Sequence, residues 1–170
     1  MAASAGAFER LDGSGWWYTG RAMTSATLFV HLLCFVAYVG AGFAQTQLMK
    51  RSQSAAGVVR DELEALVSTI VTKIEVPAIF GSMASGIAFI AMSPALMKQG
   101  WMHGKLTVVL LLAVLSHLEM FNARALVRER KEGASEGELD ARKKRHATFG
   151  AVGALLVLAL MVLVTFVRLG

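Results

Sequence analysis

The sequence predicts an all-α integral membrane protein, a four-helix bundle with both termini on the outer, non-cytoplasmic side. Three observations predict it. The chain is 55% hydrophobic with a mean hydropathy of +0.56, too apolar for most water-soluble chains of 170 residues. Its apolar residues gather into four stretches, about 23–45, 71–92, 102–127 and 149–167. At about 1.5 Å per residue each is long enough to cross, or nearly cross, a hydrocarbon layer roughly 30 Å thick. Finally, Lys and Arg are unevenly divided. Twelve belong to the first and third connections and the helix ends beside them (Lys50, Arg51, Arg60, Lys73, Arg124, Arg128, Arg130, Lys131, Arg142, Lys143, Lys144, Arg145), against five elsewhere. Basic residues are retained inside, so those connections are expected in the cytoplasm.

The net charge of +5 is concentrated in a short stretch beside a span, where basic residues are better explained as topology signals than as a nucleic-acid surface. The single Cys34 excludes an intramolecular disulfide and any multi-cysteine metal site.

Taken in order, residues 1–20 form a polar tail ending in Trp16-Trp17-Tyr18, aromatics suited to a membrane interface. The remainder, 21–170, is the membrane domain. In the first span His31, Cys34, Tyr38, Gly42 and Gln45 follow spacings of 3, 4, 4 and 3, which puts them on one helix stripe facing the bundle. Gly40-Ala41-Gly42 leaves room for a helix or a flat ligand to approach the backbone. Gln47–Arg60 is polar and reads as a loop. Asp61, Glu62 and Glu64 then open a helical pattern with acids at the positive end of its dipole, and Leu63, Leu66, Val67 and Ile70 lead into the second span. There Pro77 deprives the Lys73 carbonyl of its helical partner and predicts a kink, while Gly81/Ser85 and Ser82/Gly86 are small-residue pairs suited to tight packing. Ser93-Pro94 ends that helix. The third span follows Trp101-Met102-His103-Gly104-Lys105, and residues 128–146 read as a basic cytoplasmic loop whose block Arg142–Arg145 anchors at the membrane surface and whose His146 is solvated. The last span carries no charge and no His and reads as scaffold.

The histidines carry the chemistry. The first and third helices run in the same direction, so His31 lies about 15 Å and His117 about 18 Å below the outer ends marked by Arg21 and Lys105, at about 1.5 Å per residue. Two level imidazoles on neighbouring helices suit axial ligation of a haem iron, with Tyr38 on the same stripe as His31. His103 and Lys105 then stand at the outer rim, where propionates accept charge-assisted hydrogen bonds. The nine Met residues are scattered without a repeated Met-x-x-Met cluster, which gives little support to a copper site of the kind found in CopD-like membrane proteins.

Leu28-Phe29-Val30-His31-Leu32-Leu33 with Val36-Ala37-Tyr38, then Val76-Pro77 before a small-residue helix, then Gly100-Trp101-Met102-His103-Gly104-Lys105-Leu106 with His117 beyond, resemble the HemJ-type protoporphyrinogen oxidases. The resemblance covers roughly 24–127, and Gly-Trp-x-His-x-Lys is its most specific part. It implies a small bacterial inner-membrane protein that binds haem b, oxidises protoporphyrinogen IX without a flavin and passes electrons to a membrane acceptor such as a quinone. It further implies haem ligation by His31 and roles in activity or cofactor binding for Trp101, His103 and Lys105. Two departures stand out. Glu64-Ala65-Leu66-Val67-Ser68 lacks the Arg and Tyr of the family's pattern, and Gln45-Thr46-Gln47 replaces an Arg at the inner end of the first helix. A second reading is therefore kept open: a non-enzymatic cytochrome b-like protein that relays electrons or serves as an accessory subunit of a membrane complex or homo-oligomer.

Overall fold

The computed structural model describes residues 14–167, with side chains over 23–166. The aromatic belt Trp16–Tyr18, the rest of the N-terminal tail and the depth marker Arg21 therefore lie outside the described side chains. All described elements are helical: α1 (Ser14–Ser54), α2 (Gly57–Ile70), a π turn over Val71–Glu75, α3 (Val76–Met92), a 3-10 turn over Pro94–Lys98, α4 (Gly100–Lys131), α5 (Glu136–Val162) and a second π turn over Leu163–Val167. Four helical rods, Met23–Ser54, Gly57–Met92, Gly100–Lys131 and Glu136–Phe166, are long and apolar enough to cross a membrane. Each rod has at least 31 residues, about 46 Å at 1.5 Å per residue, so its polar end projects beyond a hydrocarbon layer of roughly 30 Å.

The connections are shorter than the sequence suggests. Where a loop is expected over 47–60, α1 continues to Ser54 and α2 begins at Gly57, whose positive φ of 55° makes the reversal. Pro77 is absorbed by the π turn: Val76 N–H bonds to the Val71 carbonyl five residues back, a wider spacing that makes room for the ring and keeps Gly57–Met92 one rod. Where residues 128–146 read as a loop, α4 and α5 form a tight hairpin. Gly133, at φ 78°, ends α4 as Ala134 N–H bonds to the Glu129 carbonyl and Gly133 N–H to that of Arg130. Ser135 then caps α5, exchanging hydrogen bonds with Glu138. The block Arg142–Arg145 is thus helical, and Leu139, Lys143 and His146, spaced by 4 and 3, form one buried stripe.

Within the bundle α1 packs along α2 and α3, α4 packs along α5, and α1 and α5 meet only along a thin seam. Two apolar clusters hold the rods together. One contains Tyr38, Ile79, Leu112 and Leu160; the other contains Met49, Val67, Val71, Leu126 and Leu139. The small residues of α3 face α1, where a Cβ at Gly81 would lie 2.7 Å from Cys34 Sγ. Gly40 and Gly42, in contrast, have no heavy atom within 4 Å of such a Cβ, so no helix approaches there. Phe29, Leu33, Val36, Phe43, Leu155 and Leu158 point outward, as expected where the surrounding solvent is hydrocarbon.

Candidate functional site

Two cavities flank the first apolar cluster, and no lining residue is common to both. The first, about 390 Å³, lies between α1, α3 and the start of α4 and brings together His31, Trp101 and Lys105 among apolar neighbours such as Phe35, Met83 and Val109. His31 is half-buried on its wall, edge-on to Phe89 with ring centroids 6.1 Å apart. Its Nδ1 stands 3.0 Å from both the Ser82 carbonyl oxygen and Ser85 Oγ. A carbonyl can only accept, so Nδ1 carries the proton and Nε2 keeps its lone pair. This arrangement is common for metal-ligating histidines, in which a second hydrogen bond fixes tautomer and ring plane. Lys105 is half-buried, and Trp101 Nε1 donates to Gln99 Oε1.

The remaining residues singled out from sequence lie elsewhere. His103 is exposed and does not line the cavity. His117 is also outside it: its Nδ1 donates to its own helix at the Ala113 carbonyl, 2.8 Å away, and its ring meets Phe80 edge-on at 5.2 Å. Tyr38 is buried against the other cavity, where Ser116 Oγ donates to its hydroxyl at 3.4 Å. Among the described residues no group of three or more His, Cys, Asp or Glu converges to hold a metal ion.

The second cavity, about 590 Å³, has a polar wall of Gln45, Glu75, Glu119 and His146 beside Tyr38; the helical stripe of α1 singles out Tyr38 and Gln45, but Glu75 and Glu119 were passed over. Gln45 Nε2 donates to Glu75 Oε2 at 2.5 Å. His146 Nε2 lies 3.4 Å from Glu119 Oε1, without the alignment of a hydrogen bond. The expectation of a solvated His146 is thus overturned. The early start of α5 at its Ser135 cap turns this residue, with Lys143, onto the face against α4. The signal available in sequence was Glu75, Glu119 and Gln45 inside three apolar spans, since ionisable groups placed there face a bundle interior.

Toward the α4–α5 hairpin a buried ion cluster joins three helices. Glu64 of α2 accepts a bidentate pair from Arg130 of α4, at 2.5 and 2.9 Å, with Lys143 of α5 3.4 Å away. Across the hairpin Arg142 donates to Glu129 at 3.0 and 2.6 Å, holding that carboxyl below the usual carboxylate range. Comparison with known protein families, curated proteins and solved structures finds no match to this chain.

Proposed function

We propose that this chain binds a b-type haem in the membrane through His31 and, like the HemJ-type oxidases it resembles, oxidises a porphyrinogen and delivers electrons to a membrane acceptor such as a quinone. The observation that carries the reading is the His31 ring. Its Nδ1–H is fixed on the Ser82 carbonyl, and its Nε2 is left as a donor atom on the wall of an apolar cavity. His31 is the residue of this chain that would hold a haem iron. The haem, when bound, supplies one-electron redox chemistry. The chain's part is to exclude water with Phe35, Met83 and Val109, to hold the ligand ring in one tautomer through Ser82 and Ser85, and to offer the Lys105 ammonium to a carboxylate. We place both termini on the outer side of a bacterial inner membrane, because 12 of the 17 Lys and Arg fall on the side of the first and third connections.

One observation favours the second reading, a cytochrome b-like electron-transfer or accessory subunit. His103, which the resemblance ties to activity, is exposed outside the cavity that holds Trp101 and Lys105. Oxidised and reduced absorption spectra of the detergent-purified protein test the shared core of both readings. A b-type spectrum is expected, with haem content strongly reduced in His31→Ala and retained in His117→Ala. Equal haem content in these two variants defeats the His31 assignment. Complementation of a strain lacking protoporphyrinogen oxidase separates the enzyme from the electron-transfer protein.

A further inference from the structure

The second cavity carries a separate inference. Its polar wall, Gln45, Glu75, Glu119 and His146, is exposed by only 2, 2, 4 and 3%. Four atoms on it have no hydrogen-bond partner: Gln45 Oε1, Glu119 Oε1 and both ring nitrogens of His146. Each such atom buried without a partner is destabilising, and a bound group able to pair with it relieves that cost. Three of these atoms call for donors, and the fourth, the protonated ring nitrogen of His146, calls for an acceptor. An amide oxygen and a carboxylate oxygen accept, and a neutral imidazole accepts at one nitrogen. A cation bound at this wall would stabilise the ionised form of Glu119 or Glu75, while Lys50, which lines the cavity too, is exposed. Thr46, Gln47 and Gln53 add neutral polar groups, and the remaining lining residues are apolar. Val39, Phe43 and Ala154 are exposed on the lipid-facing surface as well as lining the cavity, so it opens outward along the thin seam between α1 and α5.

We propose that this cavity binds a lipophilic amine in its cationic form, with the ammonium donating to Glu119, Gln45 and His146 and the hydrocarbon body lying in the α1–α5 seam. A bare metal ion lacks a converging ligand set. A quinone's carbonyl oxygens can only accept, so they cannot pair with Gln45 Oε1 or Glu119 Oε1. The inference goes beyond the haem reading and does not rest on it, since the two cavities have no residue in common.

The test uses the full chain in lipid nanodiscs, titrated near neutral pH with naphthylmethylamine, with naphthylmethanol as the neutral isostere and protein-free nanodiscs as background. Saturable amine binding is expected, about tenfold or more tighter than the alcohol, and weakened about tenfold or more by Glu119→Gln and by Glu75→Gln, as for loss of a buried charge partner. Because removing a buried carboxylate can disturb the fold, Ala154→Phe serves as a second kind of variant. It obstructs the apolar side, leaves the polar wall intact, and is expected to abolish binding while thermal unfolding stays near that of the parent. Absence of saturable binding, equal affinity for amine and alcohol, or binding unchanged in all three variants overturns the proposal. Haem content of the same samples is read separately, so failure of one assignment is distinguishable from failure of the other.

Discussion

At the scale of single residues, two side chains separate binding from structure. Lys105 lines the His31 cavity, and a charge-assisted hydrogen bond to a carboxylate contributes about 1.5–3 kcal/mol. Lys105→Met keeps the stem and removes the charge, so haem affinity is expected to fall about 10- to 100-fold, whereas Lys105→Arg keeps much of it. Haem titration of the apoprotein checks this, and parental affinity in the Met variant would reduce Lys105 to a snorkelling anchor. Glu64 has the opposite character. It is 1% exposed, and its removal leaves Arg130 and Lys143, side chains exposed by 11 and 7%, without their main counter-charge. Breaking such a buried pair from one side costs about 3–5 kcal/mol. Glu64→Ala is therefore expected to lower the unfolding midpoint markedly in detergent without a direct effect at His31, whose cavity includes none of these three residues.

At the scale of elements, the contact between α1 and α3 is set by side-chain size. A methyl group at Gly81 would meet Cys34 Sγ at 2.7 Å but Cys34 Cβ at 3.7 Å, an ordinary contact. Gly81→Ala is expected to destabilise the fold by about 1–3 kcal/mol through overpacking, despite the better helix propensity of Ala. Adding Cys34→Ala removes the sulfur and is expected to restore most of the loss, which thermal unfolding of the two single variants and the double variant measures as a coupling energy. Additive effects would show that the rods adjust their separation instead. The same element pair orients His31: the Ser82 carbonyl and Ser85 hydroxyl that fix its ring lie beside the small residues that let α3 come close.

At the scale of the whole molecule, orientation follows from the distribution of charge. If basic residues are retained inside, the α4–α5 hairpin is cytoplasmic and a cysteine placed there is shielded in intact cells. Glu132→Cys suits the test, because Glu132 is exposed between Lys131 and Gly133 and makes only a 3.9 Å surface pair with Arg128. The expected result is no labelling of that cysteine by an impermeant thiol reagent until the membrane is permeabilised. Labelling of intact cells would invert the topology.

The four apolar rods and the stripe on α1 were legible in the residues alone, because both depend on local composition and helical period: a span needs about 20 apolar residues, and spacings of 3 and 4 share a face whatever packs against it. Even the tight α4–α5 hairpin was written locally, in Gly133 and in the Ser135–Glu138 box, though the surrounding charge disguised it as a loop. Only the tertiary structure decided which polar residues meet. Helical rise gives His31 and His117 similar expected depths, but depth is one coordinate; rotation about each axis and the gaps between rods put His31 with Trp101 and Lys105, and His117 against its own helix and Phe80. The same rotations draw Gln45, Glu75, Glu119 and His146, from four different rods, onto one wall. Pairings of that kind arise between residues 27 to 101 positions apart in the chain, and no local pattern encodes them, because burial energy depends on area covered and not on which neighbour covers it.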